Sequence, residues 1–410
     1  MTPIPELLAQ LEAAVRAGDR ARAFDLARQI AQQLVRENHA QAGTERRVRE
    51  LLAELNRPPT GTRAIGPQVL MAERGGLEAA EEKGEVFPVW FGTNRKPAAQ
   101  GHGFTGERHS RVTRGRADVY IPEAHRFGET GSSFWTKVRR GDLRDDTLRV
   151  QQVTKQERDA FFSEIKAAMQ TARESDETPH AVFFLHGFNV TFEDAAIRAA
   201  QIGCDLKVPG ATAFFSWPSR GSVMAYPADE ASIEASEGAI TDFLTDFAGN
   251  CGAEKVHVIA HSMGNRGLLR ALQRIAANAE TQGRVKFGQI FLAAPDVDRD
   301  LFLDLARLYP AHAERTTLYA SDRDLPVHLS SKLHDAPRAG YFTPYTVAPG
   351  VDTVAVPDFD IDMLGHSYFA QAEALLHDIH DLIRHGEPPA KRQRISPDVH
   401  DGVSFWKLRK

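Results

Sequence analysis

A serine becomes a nucleophile where its hydroxyl is held clear of the backbone and a base can reach it. The run VHVIAHSMGNRGLLRAL (256–272) offers such a setting. An apolar strand, Val256 to Ala260, leads into His261-Ser262-Met263-Gly264, and a helical pattern follows at once. A turn this tight between strand and helix strains the serine backbone and presents its Oγ above the sheet. Side chains two before and two after the serine would collide across the turn, so both must be small. They are Ala260 and Gly264, giving A-x-S-x-G rather than G-x-S-x-G, a difference of one methyl group. The helix start adds backbone N–H groups and a positive dipole end beside the serine. The chemistry this suits is attack of Ser262 on an acyl carbonyl.

Such an attack builds negative charge on the carbonyl oxygen, which calls for two aimed hydrogen-bond donors. Upstream, FFLHGFN (183–189) ends a buried strand on His-Gly and an apolar residue, the pattern of a loop that supplies one donor. The candidates are the backbone N–H groups of Phe188 and Met263. The serine also needs a base and an orienting carboxylate, and after a strand–turn–helix serine these follow in the order carboxylate, then histidine. His366 stands in the loop FDIDMLGHSYF (359–369), after the last strand and before the terminal helix. His377, His380 and His385 fall on or at the end of that helix and read as surface residues. For the carboxylate, Asp322 and Asp324 follow the strand LYAS, and Asp296, Asp298 and Asp300 follow the strand before it. Asp324 is preferred because the next-to-last strand is the usual source, with Asp298 as the alternative. Each aspartate can equally serve as a helix cap or turn residue. The loop SWPSRGSVMAYPAD (216–229) carries Trp217, Met224 and Tyr226, which either line an acyl pocket or pack under a turn. Asn189 and His261, flanking the two proposed donors, join Trp217 and Tyr226 as candidate substrate contacts. Arg220 and Arg266 either receive an anionic group of a ligand or, the preferred reading, pair with local carboxylates.

Stepwise alternation of strands and helices must position these groups. FPVWFGT (87–93), AVFFLHG (181–187), ATAFFSW (211–217), KVHVIAHS (255–262), VKFGQIFLAAP (285–295), RTTLYAS (315–321) and DTVAVPD (352–358) read as strands. Helices are expected from Ala235 to Phe247, from Gly264 to Asn278 and from Tyr368 to Ile383. The alternation implies βαβ units and a mostly parallel sheet with helices on both faces, with ligands at the carboxyl ends of the strands. Residues 1–57 read as a helical hairpin or bundle: Leu7, Leu8, Leu11, Ala14 and Val15 repeat at helical spacing, then Ala23, Leu26, Ala27, Ile30 and Leu34. Residues 58–84, rich in Pro, Gly and charge, read as a linker. Residues 85–386 form the expected catalytic domain, and 387–410 a basic, flexible tail in which Trp406 is the residue able to pin the end to the body.

Several of these pieces, taken in order, carry a resemblance. HGFNVTFEDAA, FFSWPSRG with Tyr226 and Asp229, AHSMGNR, APDVD, YASDRDLPVHLS, APRAG and LGHSYF resemble a bacterial α/β-hydrolase family of unknown function. VWFGTNR and VYIPEAHRFG resemble its opening strands, so the likeness runs from about Pro88 to Arg384. It implies the α/β-hydrolase fold and the triad Ser262, Asp324 and His366, and no particular substrate.

Composition bounds the rest. Net charge is -5 with 42% hydrophobic residues, so a sizeable core is expected and a nucleic-acid partner is not. Cys204 and Cys251 have no paired spacing, which disfavours zinc and a disulfide framework. No metal or other cofactor is expected. The sequence has no apolar run long enough to cross a membrane and no signal-peptide core, so a cytoplasmic location is expected. The expected function is cleavage of a small-molecule or lipid acyl ester, as a carboxylesterase or lipase. The competing reading is a catalytically idle hydrolase fold that binds a protein partner, or itself, through the N-terminal helices.

Overall fold

The computed structural model describes residues 84–99, 103–131, 145–221, 225–321, 336–341, 345–356 and 369–409, and parts of 3–52. The chain divides into two compact units, the first being Met1–Gly84 with Pro122–Ala124 and Gly131–Thr147, the second the remainder.

In the first unit, helix α1 (Ile4–Arg16) buries Ile4, Leu7, Leu11, Ala14 and Val15, one stripe at helical spacing. These side chains share a core with Ala23, Leu26, Ala27, Ile30, Val48, Leu51 and Leu52. Arg47 and Glu12 close a 2.7 Å ion pair at its surface.

The second unit is built on one sheet of eleven strands. In chain order it comprises β1 (Gly84–Pro97), β2 (Phe104–Pro122), β3 (Arg149–Gln156), α2 (Arg158–Glu174), β4 (His180–Leu185), α3 (Phe192–Asp205) and β5 (Gly210–Ser216). There follow α4 (Tyr226–Ala235), α5 (Glu237–Asn250), β6 (Lys255–His261), α6 (Gly264–Ala277), β7 (Phe287–Ala293), α7 (Arg299–Leu305) and α8 (Leu308–His312). The last elements are β8 (Ala313–Ala320), β9 (Asp352–Ala355), α9 (Phe369–His385), β10 (Ile395–His400) and β11 (Val403–Leu408). The strand order is β10-β11-β9-β8-β7-β6-β4-β5-β1-β2-β3. Pairing is parallel from β1 through β5, β4, β6, β7, β8 and β9 to β11. It is antiparallel at the outer pairs β2/β3 and β10/β11.

The central strands are buried on both faces, which is why they read as unbroken apolar runs. Along β4, Phe183 and Leu185 enter one core while Val182 and Phe184 enter the other, as a period of two requires. The order β6-β4-β5 matters most for function. From β4 the chain crosses to β5 on one side, then returns over β4 to β6 on the other. The loops leaving β4 and β6 therefore diverge and open a crevice at the carboxyl ends. Leu185 pairs with Ala260, so both strands end at the same level and release His186-Gly187-Phe188 beside His261-Ser262-Met263.

Two regions depart from expectation. The chain from residue 387, read as a flexible basic tail, forms a short 3-10 turn (Pro389–Lys391) and the β10/β11 pair, with β11 docked parallel on β9 through Trp406 and Val354. Arg392 is buried against Asp378 and Tyr319, and Ile395 and Leu408 enter the core, so its charge and apolar residues anchor it. β2 and β3, absent from the strands read by pattern, have half-exposed faces with many charged residues, which dilute the alternation.

Candidate active site

Ser262 stands where β6 turns into α6, with φ of +49°, the left-handed region that a non-glycine residue enters at a cost of about 1–3 kcal/mol. The turn is held from several directions. The Ser262 N–H donates to Ala293 O (2.9 Å), and the Ser262 carbonyl accepts from Asp296 N (3.2 Å) and Asn265 N (3.1 Å). Asn265, fully buried, donates its side-chain amide to the carbonyls of Ala260, Ser262 and Ala293. The strain is thus balanced by a set of buried hydrogen bonds. The two flanking glycines are dictated by contact. A Cβ at Gly264 would stand 2.6 Å from the carbonyl oxygens of Leu185 and His186, and one at Gly187 would stand 2.9 Å from the Ser262 Cβ.

The β4 loop therefore lies directly against the serine. Among the described residues, neither the Phe188 nor the Met263 backbone N–H has an acceptor. Asn189 follows at φ of +58° with its N–H on Asp229 Oδ2 (3.3 Å), and its side chain is exposed at the rim. Val190 N–H donates to Ser219 Oγ (3.1 Å), and Thr191 caps α3 in a reciprocal box with Asp194. Asp229 also accepts from Ser219 Oγ (2.5 Å) and Arg220 N (2.9 Å), so this buried carboxylate ties the loops after β4 and β5 together.

Of the candidate substrate contacts, Tyr226 and Phe188 meet edge-to-face at 5.2 Å and are partly exposed. Trp217 is fully buried, stacked on His186 at 5.0 Å with its Nε1–H on the His186 carbonyl (2.9 Å). Its place is under the loop, the packing alternative, rather than open to a ligand. His261 is buried with Nε2 unpartnered among the described residues, and burial first, then Arg198, lowers it to about 4, so the ring is neutral. Asp298 caps α7, accepting from Asp300 N and Leu301 N, both at 3.0 Å. Asp324, His366 and Met224 lie outside the described residues.

Three further features stand out; Asp296 was among the aspartates read as candidate carboxylates, whereas Arg95, Arg338 and the cluster of His125, Cys204 and Asp205 were not picked out from sequence as site residues. Arg95, 1% exposed, reaches from the end of β1 to Ser216 Oγ, Ser219 O and Val190 O, each at 2.8 Å. Burial pushes its guanidinium down to about 9, partly offset by Asp229 and Asp194. An arginine closing the apolar strand VWFGTNR was the available signal. Asp296, just past β7, accepts from Tyr226 Oη (2.5 Å), while Arg266 Nε donates to the Asp296 carbonyl (2.6 Å) and Arg266 also pairs with Glu230. Arg338 is buried 3.6 Å from the same carboxylate, and with Arg266, Arg270, Glu237, Val297 and Leu301 it lines a small cleft that does not include Ser262. One cluster has a metal-compatible composition, His125, Cys204 and Asp205. Asp205 already accepts from His125 Nε2 (2.7 Å), Gly128 N (2.6 Å) and Gln201 Nε2 (2.5 Å), and burial with Asp205 pushes the Cys204 thiol up to about 12. The Asp205 carboxylate is thus engaged by three donors, and the thiol beside it stays protonated.

A mostly parallel sheet covered on both faces, with a strained serine at a strand–helix turn beside its switch point, defines the α/β hydrolases. The chain belongs to the family described as alpha/beta hydrolase of unknown function (DUF900), whose model matches residues 162–385. An uncharacterized protein of Nostoc sp. is 26% identical over 29% of this chain and 43% of its own length, so the chain spans less than half of that curated relative. Among solved structures, an uncharacterized protein from Bacillus cereus ATCC 10987 is 13% identical with a TM-score of 0.34, covering 56% of this chain and 70% of that one. A putative hydrolase from Agrobacterium vitis S4 is 13% identical with a TM-score of 0.32, covering 70% and 97%. The carboxylesterase CesB (YbfK) from Bacillus subtilis is 9% identical with a TM-score of 0.30, covering 75% and 93%. Among the described residues no helix is long and apolar enough to cross a membrane.

Proposed function

We propose that the chain is a serine hydrolase that cleaves a carboxylic ester of a small-molecule or lipid substrate through a covalent acyl-enzyme. His366 takes the proton of Ser262 Oγ as the oxygen attacks the carbonyl carbon, and Asp324 holds the imidazole tautomer and stabilises the imidazolium. The tetrahedral oxyanion sits between the Phe188 and Met263 N–H groups. His366 then passes the proton to the leaving alcohol, and water, deprotonated by the same histidine, releases the acid. Asp324 is preferred over Asp298 because Asp298 is occupied in capping α7. Tyr226, Phe188 and the exposed Asn189 form the side of the site open to substrate.

The observation that carries this reading is the conformation of Ser262: a buried, left-handed serine pressed against Gly187, with the Phe188 and Met263 N–H groups unengaged among the described residues. A plain strand-to-helix turn has no reason to hold that strain at serine. The test is a graded series of nitrophenyl acyl esters with wild type and Ser262→Ala, together with fluorophosphonate labelling mapped by mass spectrometry. Turnover by wild type alone, with the label on Ser262, is the expected result, and chain-length preference then separates esterase from lipase. Equal turnover by both proteins would remove Ser262 as nucleophile. No turnover and no label would favour the idle, partner-binding hydrolase fold instead.

A further inference from the structure

The buried cation Arg95 has no carboxylate in direct contact among the described residues, an expensive arrangement unless its donors meet a specific need. Its three close hydrogen bonds go to the end of β5, to the loop after it, and to the β4 loop that lies against Ser262. Arg95 Nε–H donates to Ser216 Oγ at 2.8 Å. Ser216 Oγ lies 3.4 Å from His186 Nε2, and His186 Nδ1 lies 2.7 Å from the carbonyl oxygen of Gly187. A carbonyl only accepts, so Nδ1 carries the hydrogen, and in a neutral imidazole Nε2 is then the acceptor. The Ser216 hydroxyl must give its one hydrogen to that nitrogen, which leaves its oxygen free to accept from Arg95. Every bond in the chain therefore points the same way, from a charged donor to one peptide carbonyl.

That carbonyl belongs to the peptide unit whose other end is the Phe188 N–H. In a planar trans peptide the C=O and N–H point in opposite directions, so fixing one aims the other. Bonds in series also polarise one another, which makes the Phe188 N–H a stronger donor. The next three peptide units are fixed as well, through Asn189 N–H on Asp229, Val190 N–H on Ser219 Oγ and Val190 O on Arg95 itself. Burial first, then the Arg95 charge, holds the His186 pKa well below its ordinary value, consistent with a neutral relay member.

We propose that Arg95, Ser216 and His186 form a one-directional hydrogen-bond relay that aims and strengthens the Phe188 N–H as oxyanion donor, which makes them positioning residues. The relay rests on the serine-hydrolase reading above.

The test measures kcat and KM on a nitrophenyl ester that the wild type cleaves, using the full chain, with each variant normalised to the Ser262 sites titrated by a fluorophosphonate. His186→Phe keeps an aromatic ring on Trp217 and removes both relay bonds. His186→Asn replaces the Nδ1 donor. His186→Phe is expected to lower kcat about ten- to hundredfold with KM within about twofold, and His186→Asn to recover most of the loss. Ser216→Ala is the gentler variant if His186→Phe does not fold, with an expected loss in kcat of about three- to tenfold. Histidine 15N shifts supply a readout independent of turnover: Nδ1 of His186 protonated and Nε2 not. Wild-type kcat in Ser216→Ala, an Asn variant no better than Phe, or the opposite tautomer would each overturn the relay while Ser262 still labels. A wild type that neither labels nor turns over would overturn the hydrolase reading and the relay together.

Discussion

At the residue scale, the turn at Ser262 leaves no room for substitution, and the reason differs from one neighbour to the next. Gly264 is small because a backbone stands 2.6 Å from where its Cβ would be, and backbone cannot swing aside as a side-chain end can. Gly264→Ala is expected to lower stability by about 1–3 kcal/mol, the usual range for overpacking, read as a shift in the urea midpoint at constant m. Unchanged stability would mean that the β4 and β6 loops are not locked together. This part of the site was legible, since strand, small residue, serine and glycine occur in one short run. The supporting groups were not. Arg95 lies 121 residues from Ser216 and His186 lies 30 from it. No local spacing marks residues that meet only because β1, β5 and β4 are neighbours.

Elements that end the sheet are held by charge as well as by pairing. Arg392, ahead of β10, donates to the Asp378 carboxylate on α9 and to Tyr319 Oη on β8, and Tyr319 donates to Asp378 (2.7 Å). All three are buried. Arg392→Met would leave a carboxylate buried without its cation, and breaking such a pair costs about 3–5 kcal/mol. The expected outcome is a chemical-denaturation curve shifted by that amount, with Arg392→Met/Asp378→Leu recovering part of it because the double variant buries no lone charge. A single-variant loss below about 1 kcal/mol would show that the segment after residue 387 is not anchored through Arg392. In sequence, EPPAKRQR resembles a solvated tail because its proline and charge are visible and its buried partners are not. The central strands were the opposite case. Buried on both faces, they advertise themselves as apolar runs, whereas β2 and β3 mix charge with apolar residues, and only the apolar end of β2 was marked, through the family resemblance.

The whole molecule carries a pH dependence set by histidines buried in neutral form. His257 on β6 accepts from Gln289 N (3.0 Å) at Nδ1, so Nε2 holds the hydrogen and donates to His180 Nδ1 (3.3 Å). Burial, then His180 and Lys255, lowers His257 to about 3, while burial and Arg198 lower His261 to about 4. Burial, then Arg95, also holds His186 well below its ordinary value. With folded values below the unfolded one of about 6.5, the unfolded chain binds more protons as the medium is acidified. The stability these groups contribute is complete above pH ~6.5 and falls as pH drops toward their folded values. Each is expected to cost on the order of 1–2 kcal/mol by pH 5, read from chemical denaturation between pH 7 and 5. His257→Gln should flatten that dependence, and an unaltered slope would argue that His257 is not buried neutral.

The sequence by itself determined the local geometry at Ser262 and the fold class. A buried strand, a tight turn and a helix in succession specify a strained serine, and repeated strand–helix alternation specifies a covered parallel sheet, because both are written in contiguous residues. Only the tertiary structure decided which groups surround that serine. The reversal of strand order at β4 brings the His-Gly loop against Ser262 and places Arg95 and Asp229 beneath it. It also turned a basic terminal segment into two strands of the sheet. Hydrogen bonds between residues far apart in the chain obey three-dimensional adjacency alone, and a one-dimensional pattern does not encode that adjacency.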